Sequence, residues 1–468
     1  MATEIDKIDL VRDSTMQNVA AAVAAIAVNT GGYKLASYKD AQTIIRAGLG
    51  SKFFHTGDQI VVERETAMNA TIGNTDPGTS AGITGAAVNA DTFIAAVGTV
   101  HNGDYEFIYD GAEWHFNGES TPLATYGITV TGTPKHGDAV IVHETAAKLY
   151  FDVIGRDHDT PSDPQYKYSL TLQLHDLFAE MQFDAREALF AFPEGLAAGT
   201  YTFTIRAHSW VASDIGKSIT FTLAQAIPAG GQLVVSQAYN ASFTTGNIAS
   251  YANGSTTTAI ETVKMNEGSA GTSLGDVTNA VVENTNSCQR ALLGSNNWDE
   301  SALKQWANSD APAGSVWQPQ TKFDRPPSWA TTTAGFLHGL DPEFVKTLGY
   351  VKKVTALNNV SDGGGTKETD EKIFLISRTE AYMGNDVAGG EGKPYAYYSE
   401  YSDLAAPGTG KDTNRIKYRA GAAKYWWLRS PYVGYASHVR LVTPSGELFL
   451  GYNCAANTYS VAPACVII

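Results

Sequence analysis

The sequence predicts a multidomain, β-rich chain: a short helical lead, strand-rich modules that include an antiparallel sandwich, and an α+β domain at the C-terminal end. Three observations predict this. At 468 residues the chain is long enough for two to four domains of ordinary size. Its 45 glycines and only 17% charged residues make a turn-rich composition that suits strands better than helices. Six of its eight tryptophans (Trp298, Trp306, Trp317, Trp329, Trp426 and Trp427) fall after residue 273, which marks that stretch as compositionally distinct.

Residues 1–50 are expected to be helical. Met16, Val19, Ala20, Val23 and Ile26 recur at helical spacing after the capping pair Ser14 and Gln17, and Gly31-Gly32 stops the run. A second helix is expected from Tyr38 to Ala47, between Ser37 and Gly48. Residues 51–155 then read as a small β-rich module. Gly57-Asp58-x-Ile60-Val61-Val62 is echoed by Gly137-Asp138-x-Val140-Ile141-Val142, and Asn102-Gly103 and Asn117-Gly118 flank Tyr105–Phe116 as hairpin turns would.

The polar, twice proline-broken run Arg156–Pro164 predicts a linker or exposed loop, so the next module is set at 156–272. There, Tyr201, Phe203 and Ile205, then Ile219, Phe221 and Leu223, alternate with Thr or Ser. Period-two strands of this kind predict an antiparallel sandwich, immunoglobulin-like or jelly-roll. The last domain, 273–468, opens with one helix face made of Trp298, Ala302, Leu303, Trp306 and Ala307, with Asp299 and Glu300 in its first turn. Asp341–Leu348 predicts another short helix and Ile373–Ile376 a buried strand. Glycine-rich loops at 362–366 and 389–392 join these pieces.

Composition excludes several roles. A net charge of −15 opposes binding to nucleic-acid backbones, which takes basic surface, and opposes docking on anionic membranes. The alanine-rich run Val19–Val28 is too short and too weakly apolar for a membrane span, and no secretion leader is expected. Three cysteines (Cys288, Cys454, Cys465) make no disulfide framework and no CxxC pair. HExxH and GxxxxGK are absent from the sequence, so no enzyme, cofactor or metal is expected. Arg156–Pro164 carries three Asp without the DxDxDG spacing of a calcium loop, and His55, His136 and His143 suit a surface turn as well as a ligand role.

The strongest functional signal is Tyr425-Trp426-Trp427-Leu428-Arg429-Ser430-Pro431, followed by a chemically mixed stretch that closes on Val461-Ala462-Pro463-Ala464. Together with Asn297-Trp298…Ser301…Leu303…Trp306…Asn308-Ser309 and Ile373-Phe374-Leu375-Ile376-Ser377…Glu380, this framework resembles the variable proteins of diversity-generating retroelements in phages and bacteria. The resemblance spans roughly 275–468. It implies a C-type-lectin fold whose terminal segment displays mutagenised residues to a ligand. Adenine-directed mutagenesis of Asn-type codons cannot produce Lys, Glu, Gln, Met or Trp. Those types make up 68 of the 468 residues, yet 431–460 contain only Glu447.

The residue mixture supports the same reading. Tyr432, Tyr435, Ser437, His438, Tyr452, Asn453 and Asn457 combine rigid aromatic area with small polar groups, as adaptable binding surfaces do. Thr443, Cys454 and Tyr459 complete the expected variable set, with Leu441, Phe449 and Leu450 as apolar anchors if they face outward. Trp298, Trp306, Trp426, Trp427, Arg429 and Pro463 are expected to be scaffold, with Arg429 supporting loops through backbone carbonyls.

The expected function is a receptor-binding protein of a phage particle, on its tail or surface. It would be made in the bacterial cytoplasm and would bind a bacterial surface protein or glycan. Other virion proteins and further copies of itself, a trimer for instance, are the expected partners. The alternatives are a capsid or tail decoration protein without a specific ligand, and an enzyme, which would need a pocket of convergent titratable groups.

Overall fold

A computed structural model describes residues 27–29, 32–34, 37–98, 100, 103–187, 190–192, 195–205, 218–223, 226, 229, 231–235, 248–251, 275–278, 290, 293–320, 324–359, 361–400 and 412–468. The chain is β-rich, with sheets that pair almost wholly antiparallel and with few, short helices. It forms two compact units: Met1–His175 with Leu337–Gly349 and Val466–Ile468, and Asp176–Phe336 with Tyr350–Cys465.

In the first unit two long strands, Gln59–Asn74 and Asp138–Arg156, pair antiparallel from Gln59↔Asp152 to Asn74↔Asp138. The two sequence echoes begin these strands at opposite ends of the pair. Gly137 turns the chain at a φ of 80°, and a Cβ there would lie 2.3 Å from Asp76 Cβ, so the turn needs glycine. Ile60 and Val62 of one echo and Val140 and Val142 of the other are buried, one residue in two, as the strand period requires.

Gly103–Tyr109 pairs with Asp138–Arg156 and, through an unexpected turn at 110–113, with Trp114–Phe116. Asn117 and Gly118, at φ 51° and 82°, turn the chain into Glu119–Ser120, the left-handed pair that Asn-Gly favours. Asn102 lies outside the described residues. Phe93, Phe107, Leu123, Ile128 and Val140 form the core of this module.

The helix Tyr38–Arg46 starts where the sequence places it, with Ser37 Oγ accepting from Asp40 N, and its chain turns at Gly48 (φ 72°). The earlier helix expected over Met16–Ile26 lies outside the described residues. The segment Leu337–Gly349 carries the expected helix as Pro342–Thr347, capped by Asp341, and Phe344 meets Tyr38 edge-on at 5.3 Å.

One expectation needs correcting here. Arg156–Pro164 is a loop with Asp157, Thr160, Asp163 and Pro164 exposed, but it is not a linker, and its middle is anchored. Buried Asp159 accepts from Thr171 Oγ1 at 2.6 Å, and Asp157 N donates to Ser169 O at 2.8 Å. Leu170–Leu174 then pairs back onto the same long strand, so the unit runs on to His175. The prolines break the strand, but Ser169 and Thr171 satisfy the loop's polar groups in place.

The second unit contains two three-stranded antiparallel sheets. In one, Gly199–Ile205 lies between Ser218–Leu223 and Gly275–Thr278, with Tyr201 opposite Phe221 and Phe203 opposite Ile219. In the other, Gly231–Val235 lies between Phe190–Phe192 and Ile248–Tyr251. The helix expected from Trp298 is two pieces, a 3-10 turn Trp298–Glu300 and the helix Ala302–Ala307, broken at Ser301. Ser301 Oγ caps the second piece, and the buried Asp184 carboxylate accepts from Ser295 N and Ala302 N. All five residues of the expected apolar face are buried. A five-stranded sheet, in the order Glu180–Gln182, Thr458–Ser460, Trp426–Pro431, His438–Val442, Leu448–Cys454, carries the segment after Pro431.

Candidate ligand-binding surface

The floor of this sheet is fixed by buried polar bonds. Trp426 Nε1 donates to Arg415 O at 3.0 Å and Trp427 Nε1 to Met181 O at 2.9 Å, so two large apolar side chains lie buried without stranding their donors. Beside them Arg429, 0% exposed, donates to Leu375 O, Val354 O and Thr355 Oγ1 and pairs with Glu380. Lys353 pairs with the other Glu380 oxygen. Burial opposes Arg429's charge, but the Glu380 carboxylate outweighs it and holds the guanidinium above its usual range. Glu391, which accepts from Ala356 N and Ser430 Oγ, is raised by burial.

On this floor the loop after Pro431 stands half-exposed. The rings of Tyr432 and Tyr435 stack at 5.3 Å and 29°, and Arg440 lays its guanidinium 4.4 Å over Tyr432. Arg440 is itself held by Asp386 at 2.7 and 2.6 Å. The loop backbone is pinned from below. Asn296, fully buried, donates through Nδ2 to Tyr435 O at 2.7 Å and His438 O at 2.9 Å, and its Oδ1 accepts from Asn358 at 2.8 Å. Asn359 N donates to Val433 O.

A second polar patch lies on the last strands. Asn457 donates to Asn453, which donates to the Tyr459 hydroxyl, and the Tyr459 ring meets Trp427 edge-on at 5.0 Å. Asn457 is exposed, and Asn453, Cys454 and Tyr459 are half-buried.

Four residues of the expected display set are not on the surface. Ser437, His438, Leu441 and Thr443 are buried. His438 and Leu441 lie on the strand His438–Val442, flanked by Ser437 and Thr443; it lies inside the sheet and is buried at every position, so alternation sends neither face to water. Leu441 stands opposite Trp427, and Thr443 Oγ1 accepts from Glu447 N. The side chains of Phe449, Leu450 and Tyr452 lie outside the described residues. The expected scaffold residues Trp298, Trp306, Trp426, Trp427, Arg429 and Pro463 are all buried. Sequence reasoning missed Asn296, Asp386 and Arg440, whose partners are remote in the chain; only Asn296's place beside the quoted Asn297-Trp298 gave any signal.

Among the described residues no group of three or more His, Cys, Asp or Glu side chains is placed to hold a metal. No described helix is long and apolar enough to cross a membrane. His55, His136 and His143 each lie beside an aspartate (Asp58, Asp76 and Asp104).

Residues 276–468 match a family model described as a domain of unknown function, DUF6273. No curated protein and no solved structure matches the chain. The matched stretch is not one compact unit, because its Leu337–Gly349 and Val466–Ile468 belong with the first.

Proposed function

We propose that the second unit binds a ligand through the half-exposed loop after Pro431. In this reading the chain is a non-enzymatic variable protein of the diversity-generating-retroelement kind. A C-type-lectin fold covers 273–468, behind an immunoglobulin-like or jelly-roll sandwich. It serves as an adhesin on a phage tail or virion surface and recognises a bacterial surface protein or glycan. Copies of the chain assemble so that weak contacts add.

One observation carries the reading: Tyr432 and Tyr435 present a stacked aromatic face to solvent on a backbone locked by buried Asn296. A rigid aromatic pair gives large contact area with little entropy left to lose on binding. The corrected display set is Tyr432, Tyr435, Asn453, Cys454, Asn457 and Tyr459.

The test replaces Tyr432 and Tyr435 with Ser in the full chain and measures binding to intact host cells. Loss of a hot-spot pair weakens binding by about 2 kcal/mol or more, roughly thirtyfold. Unchanged binding with an unchanged melting temperature sinks the proposal. The burial of Ser437, His438, Leu441 and Thr443 favours the second reading, a decoration protein without a specific ligand, and that result would select it.

A further inference from the structure

Cys454 and His438 face each other across two antiparallel strands, directly in register. Cys454 Sγ lies 3.7 Å from His438 Nε2, within reach of a sulfur hydrogen bond. The other ring nitrogen, Nδ1, lies 2.9 Å from Ser437 Oγ. If Sγ–H donates to Nε2, then Nδ1 carries the hydrogen and donates to Ser437 Oγ, which as a hydroxyl is able to accept it. This is the arrangement of an activated nucleophile: a thiol, a base within reach, and a third group that orients the base. The imidazole is also held by the Tyr435 ring at 4.8 Å.

The two partners differ in access. His438 is buried, whereas Cys454 is half-buried. Burial lowers the His438 imidazole to about 4, so the ring is neutral across the neutral range and can accept a hydrogen bond from Sγ–H, though it is a weaker base than a free imidazole. The field of Arg186 reaches Cys454 and favours a thiolate, and the Tyr459 hydroxyl beside it is neutral in the neutral range. Cys465 is the internal contrast: it lies 1% exposed in an apolar strand, and burial pushes its thiol up.

We infer that Cys454 is a nucleophilic thiol, deprotonated by His438, that exchanges with disulfides arriving from solvent. In the step, the Sγ–H proton passes to His438 Nε2 and the sulfur lone pair attacks one sulfur of the incoming disulfide. A new Sγ–S bond forms, the old S–S bond breaks, and the departing thiolate takes the proton back from the imidazolium. Cys454 is oxidised to a mixed disulfide and the released half is reduced to a thiol. This places a covalent attachment point beside the Tyr432–Tyr435 face. The exchange does not depend on that face recognising anything.

The test treats the folded full chain with 4,4′-dithiodipyridine, a disulfide that reacts over about pH 3 to 8. Thiopyridone release is followed, and peptide mass mapping identifies the labelled cysteine. Cys454 is expected to label first, at least about tenfold faster than in His438→Gln, with Cys465 unlabelled. The wild-type rate should rise through about pH 4, as the imidazole loses its proton, to a plateau. The variant's rate should instead climb steadily with pH. Ser437→Ala, which keeps both reacting groups, should slow labelling a few-fold. Labelling first at Cys288 or Cys465 overturns the inference, as does a Cys454 pH–rate profile that is the same in wild type and in a folded His438→Gln or Ser437→Ala.

Discussion

Asn296→Ala removes the side chain that pins the aromatic loop, and the structure sets the size of the loss. Its Nδ2 donates to Tyr435 O and His438 O, and its Oδ1 accepts from Asn358 Nδ2. Two of these partners keep an alternative: His438 O still accepts from Tyr432 N at 2.8 Å, and Asn358 Nδ2 still donates to Asp362 at 2.7 Å. The main loss is therefore at Tyr435 O. Three bonds lost from a buried side chain, at about 1 kcal/mol each, give about 2–4 kcal/mol. Asn296→Asp should be worse than Ala although it is isosteric, because it turns an acceptor oxygen toward two carbonyls. Urea denaturation at pH 7 measures both, with the midpoint falling at unchanged slope. Hydrogen exchange should quicken over 432–438. A cost below about 1 kcal/mol for Ala, or an Asp variant more stable than Ala, refutes the account of the loop as held from beneath.

Other outcomes follow from the same contacts. Arg429→Met takes the guanidinium from Glu380, leaving Lys353 and Ser377 N beside that carboxylate, and removes the donors to Leu375 O and Val354 O, so it should cost about 3–5 kcal/mol by urea denaturation; a cost under about 1 would mean water reaches the site. Glu391 has a raised pKa, so the folded state holds its proton more tightly than the unfolded state, and this group's contribution to stability falls as pH rises above about 4. Glu391→Gln should therefore gain on wild type between pH 4 and 7 in urea midpoints, and parallel curves would contradict this. Gly118→Val forces a β-branched residue into φ 82° and should cost roughly 1–3 kcal/mol in thermal unfolding; no change would mean the turn relaxes freely. Tyr432→Ser with Tyr435→Ser, by contrast, should cost no more than about 1.5 kcal/mol of stability, since the pair is half-exposed.

Local chemistry made much of the fold legible. The helix Tyr38–Arg46, the turn at Asn117-Gly118 and the buried face of Trp298, Leu303 and Trp306 all rest on caps, turn residues or periodicity. What failed were inferences from polarity alone. Within the loop Arg156–Pro164, Asp159 reads as solvated because it is charged, but polar groups are buried wherever partners meet them, and Thr171 meets Asp159. The same holds at the site: Ser437, His438 and Thr443 resemble an exposed mixture by composition, yet their strand is central. Which strands lie inside a sheet depends on pairings remote in sequence, such as Gln182 with Thr458, that no local pattern carries.

The interleaved course of the chain limits how the protein can be cut. Val466–Ile468 and Leu337–Gly349 are structural members of the first unit, where Gly349 N donates to Val466 O and Gln42 donates to Ile468 O. A genetic exchange of everything after residue 275 would thus import foreign pieces of the amino-terminal body along with any new surface. Exchange without that penalty is confined to interior surface positions such as Tyr432, Tyr435 and Asn457, which can be replaced while the buried strand His438–Val442 and both flanking anchors keep their native partners.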